Sequence, residues 1–194
     1  MLNFVRNIIT FDCDEEEVKK IIDEIKSDDG KTLFDFNKLI PMPEELNILE
    51  GSKTDEGITA FETDNKSDPE LYELGKQAIK NLEKYGHRSW YYWRVQYWET
   101  KWNALDVVVN GNSLIFETAW STPFPVLKAL SCKFPCIPFS VKYADEDIGY
   151  DCGEMTFKDG ICIDNISYPF RSEEAILFAD RVWQRFLIGD GGDI

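Results

Sequence analysis

Apolar side chains alternate with polar ones in some stretches of this 194-residue chain and recur every three or four positions in others. Residues 4–11, FVRNIITF, combine alternation with β-branched side chains and predict a strand. Asp14 is a good helix-capping residue, and Glu15, Glu16 and Glu17 suit the positive end of a helix dipole. Val18, Ile21, Ile22 and Ile25 then share one helical face, and Asp28-Asp29-Gly30 closes the element. Residues 33–46, with Pro41 and Pro43, read as an ordered loop anchored by Phe34, Phe36, Leu39 and Leu46. Residues 50–67 are polar and contain Gly51 and Gly57, which predicts a flexible excursion.

Asp68-Pro69 opens a second helix with Leu71, Leu74, Ala78, Ile79 and Leu82 on its face, ended by Gly86. A dense aromatic stretch follows, from Trp90 to Trp102. Residues 104–110 and 113–119 flank Asn110-Gly111-Asn112 and predict a hairpin. Pro123 and Pro125 lead into a short helix, and Ile137, Phe139, Val141 and Tyr143 alternate as a strand. Residues 153–158 and 161–166 read as one more hairpin, and Ser172 caps a last helix over 171–187. With the stretch 33–103 set aside as an insertion, the order is strand, helix, strand, strand, helix, strand. That is the split βαβ, or ferredoxin-like, pattern. The expected fold class is α+β: a βαββαβ antiparallel sheet, a helical, aromatic-rich insertion after the first helix, and an extra C-terminal hairpin and helix. One domain over 1–188 and a frayed tail, 189–194, complete the expectation.

Charge changes the functional picture more than size does. The net charge is −15. Residues 1–70 carry 19 acids and 8 bases, residues 71–142 carry 5 and 9, and residues 143–194 carry 12 and 4. Acidic flanks therefore surround a mildly basic, aromatic centre. Such flanks disfavour a phosphate-tracking surface and suit a basic partner, or simply keep the protein soluble. Five cysteines and a single histidine, His87, offer no metal-ligand spacing; Cys132 and Cys136 are CxxxC with Pro135 between them. No metal and no cofactor are expected, and the cysteines read as small apolar fillers in a reducing, cytoplasmic setting. No apolar run approaches membrane-spanning length, and no secretory signal is visible.

Four segments carry a resemblance: FDFNKLIPMPEEL (34–46), YYWRVQYWETKWNALDV (91–107), FETAWSTPFPVLKAL (116–130) and GEMTFKDG (153–160). In this order they resemble the YubB-type ferredoxin-like domain family of bacteriophages and plasmids. Members typically show an NKL-I-P-MP loop and a W-G-T-K-W-(D/N)-A block. Trp98 to Ala104 fits that block with Glu99 where Gly is usual, and Phe4-Val5-Arg6-Asn7 keeps only the Asn of a WCxN-type start. The resemblance implies a ferredoxin-like fold and a mobile-element origin, and it implies no established reaction.

The binding candidates are Trp98, Lys101, Trp102, Asn103, Glu117 and Trp120, joined by Asn37 and Lys38 from the loop 33–46. In one reading the indoles stack on a base or sugar while Lys101 meets phosphate. In the other, Trp98 and Trp102 share a helical face and clasp the insertion to the sheet. Glu117 suggests a general base or an ion pair with Lys101. Gly-rich phosphate loops are absent, and the strand residues Val107–Val109 lack the aromatics of an RNA-recognition sheet. The expectation is therefore a non-enzymatic, acidic protein that binds a host protein with a basic surface, with inhibition of a defence nuclease as one version. Nucleic acid is not expected as a direct ligand, and no membrane is implied. The alternative is a nucleotide- or nucleic-acid-binding protein, or an enzyme, with an aromatic/Lys pocket.

Overall fold

The computed structural model describes residues 3–184, which form two units: 3–40 with 98–184, and 41–97. The first unit carries a six-stranded sheet of β1 (Phe4–Phe11), β2 (Leu105–Asn110), β3 (Ser113–Ala119), β4 (Phe139–Asp145), β5 (Cys152–Lys158) and β6 (Ile161–Ser167). The order is β2-β3-β1-β4-β5-β6 and every pair is antiparallel. Its first four strands reproduce the ferredoxin-like arrangement, and the C-terminal hairpin adds two strands beyond β4.

β1 is central, which explains its near-continuous burial. Val5, Asn7, Ile9 and Phe11 face one side, in register with Thr118, Phe116 and Leu114 of β3 and with Tyr143, Val141 and Phe139 of β4. This side carries α1 (Glu15–Ile25) and α5 (Phe124–Lys133), as two right-handed crossovers require. The two helices are joined by Lys133 Nζ and Glu24 Oε2 at 3.1 Å. In α1 the Asp14 carboxylate accepts from the Glu17 amide at 2.9 Å, and Val18, Ile21, Ile22 and Ile25 are all buried. Asn7 keeps its amide busy inside the sheet, donating to the Val5 carbonyl and to Thr118 Oγ1, each at 3.0 Å.

The opposite side is covered by α6 (Glu173–Gln184). Ala175, Phe178, Ala179 and Val182 pack on Ile8, Ile115, Ala144 and Cys152. The predicted end of this helix at 187 and the tail 189–194 lie outside the described residues. In an RNA-recognition module this side of the sheet stays open for bases; here a helix occupies part of it.

The second unit contains α2 (Ser52–Glu62) and α3 (Pro69–Tyr85), followed by α4 (Trp90–Trp98), whose last residue belongs to the sheet-bearing unit. The flexible excursion expected over 50–67 is corrected: most of it is the helix α2. Its contact face is built from small residues, Thr54, Gly57 and Ala60, so a search for large apolar side chains passes over it. Gly57 and Gly75 let the two helix backbones touch. A Cβ on Gly75 would stand 1.8 Å from the Gly57 carbonyl oxygen. Across the same unit, Asn81 donates to the carbonyls of Glu45 and Arg88 at 2.7 and 3.1 Å. Arg88 and Ser89 in turn hold the Glu50 carboxylate.

Candidate functional site

α4 ends at Trp98 because the next residue, Glu99, takes a left-handed conformation with φ +60°. This is the position where the resembling domains usually have Gly, and a residue without Cβ adopts that conformation at no steric cost. Trp98 and Trp102 therefore do not share one helical face, which corrects the expected geometry. Trp98 is fully buried, its ring stands edge-on to Phe36 at 5.6 Å, and its Nε1 donates to the Ile40 carbonyl at 3.0 Å.

Asn103 is a fastener. Its Oδ1 accepts from the amides of Phe36 (2.9 Å) and Ala104 (3.0 Å), while Nδ2 donates to Asp35 Oδ1 at 2.7 Å. The same Asp35 oxygen also accepts from the Asn37 amide and side chain, both at 3.0 Å. Asp35 is thus the hub that sequence reasoning missed. An Asp four residues before a Leu-Ile-Pro turn suggests a cap, but not its long-range partner. Lys38 pairs with Asp28 on the surface. The loop 33–40 and the block 98–103 do meet, joined by Asn103 to Phe36 and Asp35 and by Trp98 to Ile40.

Glu117 is not paired with Lys101 as expected. Its Oε1 accepts from Arg6 Nη2 at 2.7 Å and Nε at 3.2 Å. Arg6 also donates to the Trp183 carbonyl at 2.9 Å, and its guanidinium lies 4.1 Å from the indole centroid of that residue. The pairing follows from register, since Arg6 and Glu117 are direct cross-strand partners. A carboxylate held in this way already has its charge-assisted partner in the guanidinium.

Lys101 lies instead among indoles. Its Nζ stands 4.6 Å from the ring centroid of Trp102 and 5.6 Å from that of Trp120. Trp120 is 36% exposed and has φ +73°. The two loops carrying these residues are stitched by Thr100 Oγ1 donating to the Ala119 carbonyl at 2.8 Å and by Ser121 Oγ donating to the Glu99 carbonyl. Lys101, Trp102 and Trp120 are therefore brought together on a surface shelf, whereas Trp98, Asn103, Asn37, Lys38 and Glu117 serve packing and pairing. Among the described residues no group of three or more His, Cys, Asp or Glu side chains converges to hold a metal. Burial pushes the Cys13 and Cys152 thiols up, with nearby carboxylates adding to it, which opposes thiolate chemistry. A separate cleft of about 260 Å³ in the helical unit is lined by Leu49, Lys53, Glu56, Asp68, Glu70, Leu71 and Leu74.

The sheet, its two crossover helices and the shelf define a ferredoxin-like α+β domain. Residues 97–184 match the family model described as the ferredoxin-like domain in Api92-like protein. Among solved structures, protein api92 from Yersinia pseudotuberculosis aligns over 87% of this chain and 99% of its own, at 8% identity and a TM-score of 0.45. A stretch of 77 residues is 38% identical to the cytosolic endo-beta-N-acetylglucosaminidase of Danio rerio, covering 37% of this chain and only 10% of that protein. No helix among the described residues is long and apolar enough to cross a membrane.

Proposed function

We propose that this is a non-catalytic binding protein whose partner is a protein with a basic surface. The observation that carries the reading is the fate of Glu117, the carboxylate best suited by position to act as a base. Arg6 holds it between strands, beside α6. The exterior is rich in carboxylates at a net charge of −15, which draws basic surfaces by long-range, salt-dependent attraction. The resemblance to YubB-type domains of phages and plasmids supports a mobile-element setting, with the partner in the host cytoplasm. A defence nuclease fits that chemistry, because an enzyme that holds DNA needs a basic surface of its own.

The test is capture from host lysate at low and at high salt. A partner retained at low salt and released at high salt supports the reading; no partner at low salt overturns it. The shelf of Lys101, Trp102 and Trp120 favours a second reading, a nucleotide or single-strand ligand stacked on Trp120. Quenching of tryptophan emission on titration with nucleotides and single strands, lost in Trp120→Ala, would support it, and a flat titration retires it.

A further inference from the structure

The carboxylates of this protein are not equivalent. Those along α1 are largely neutralised in place: Glu16 by Lys19, Glu17 by Lys20, Asp23 by Lys26 and Glu24 by Lys133. A second set of acids lies in the loop between β4 and β5 and in the first turn of α6: Glu146, Asp147, Asp151, Glu173 and Glu174. Among the described residues none of these five forms an ion pair with a lysine or arginine; Arg171 lies instead with its guanidinium 5.0 Å from the Phe170 ring centroid. Glu146 accepts from the Phe4 amide at 3.0 Å and Asp147 from the Asn3 side chain at 3.2 Å, both neutral donors.

Beside these acids in the chain lies an apolar surface. Tyr150 and Phe170 are 58% and 59% exposed and touch edge to face at 5.6 Å. Ile148, two positions before Tyr150, and Ile176 are each about two-fifths exposed, and a Cβ on Gly149 would meet Ile176 at 2.8 Å. The backbone holding the rings outward is fixed rather than slack. Arg171 takes φ +53° and Gly149 φ +80°, and the Arg171 amide donates to the Gly149 carbonyl at 2.8 Å. A non-glycine residue persists there only where its surroundings insist on it. Apolar patches with polar rims mark interaction surfaces, and aromatic anchors ringed by charge are their energetic centres.

We infer that the Tyr150–Phe170–Ile176 surface is the docking site for the partner, and that the partner presents an apolar ridge flanked by lysines or arginines. The unneutralised acids select the flanking cations, and the rings take the ridge. This rests on the proposed binding function and names its surface.

The test uses the full chain and a labelled helical peptide built of leucine and lysine, beside a control in which serine replaces every leucine. Anisotropy should show the leucine peptide binding about tenfold more tightly than the control. The Tyr150→Ser/Phe170→Ser double variant should lose about tenfold for the leucine peptide, whereas Glu16→Gln/Glu17→Gln on α1 should change it less than twofold. Both ring substitutions are at exposed positions, and a melt by circular dichroism confirms that the fold persists. Equal binding of the two peptides, or full binding by the double variant, overturns the inference. If a lysate partner is still retained by the double variant in low salt, the binding function stands and lies on another surface. Sedimentation that shows self-association abolished by the same double variant overturns the inference in favour of a second copy as the occupant.

Discussion

Arg6 and Glu117 stand opposite each other on β1 and β3, with 2.7 Å between guanidinium and carboxylate and both side chains at most 15% exposed. Trp183 closes over the pair, its carbonyl accepting from Arg6 and its Nε1 donating to the Asp145 carbonyl at 3.0 Å. A single ion pair thus ties two strands to the helix that covers them.

Removing one partner leaves the other charge poorly solvated. Glu117→Ala is expected to cost about 3 kcal/mol, and Arg6→Met a similar amount, by urea denaturation. The double replacement Arg6→Met/Glu117→Leu should recover most of the loss, because an apolar pair needs no counter-charge. A Glu117→Ala protein as stable as the wild type would remove the pair from the structure's supports.

Gly75→Ala is expected to cost about 3 kcal/mol or to disorder the helical unit, since its Cβ would overlap the Gly57 carbonyl. Hydrogen exchange should show the loss concentrated in α2 and α3. Unchanged protection there would show that the two backbones do not touch.

Asn103→Asp keeps the size of the side chain and sets a second carboxylate against Asp35, where Nδ2 now donates at 2.7 Å. Destabilisation of about 2 kcal/mol is expected at pH 7. Melting temperatures of the variant and the wild type at pH 7 check the cost.

Glu45 is held at about 2 by its backbone hydrogen bond and by Lys84, well below the usual carboxylate range. A carboxyl depressed in the folded state contributes stability above its unfolded value near 4.5, and that contribution fades as pH falls from there toward 2. The stability difference between wild type and Glu45→Gln should therefore be constant above pH 5.5 and shrink below 4.5. A difference that grows on acidification would reverse the sign of the linkage.

The strands, both crossover helices and the C-terminal hairpin are legible in the chain because each satisfies its own period within a dozen residues. Asp14 caps as its position suggests, and the ferredoxin-like order follows from the succession of elements. α2 escaped because its packing surface consists of Gly57, Thr54 and Ala60, which carry no hydrophobic period although they fit a neighbouring backbone.

The candidate residues divide in the same way. Their types are local information: indoles beside a lysine, an amide after a tryptophan, a glutamate on a strand. Their roles depend on who stands opposite. Strand register assigns Glu117 to Arg6, the left-handed turn at Glu99 turns Trp98 away from Trp102, and Asp35 reaches Asn103 across 68 positions of chain. Periodicity and caps act between near neighbours and so are written along the chain. Ion pairs, clasps and exposed apolar surfaces arise between residues far apart in it, and folding alone brings them within a few ångströms of each other.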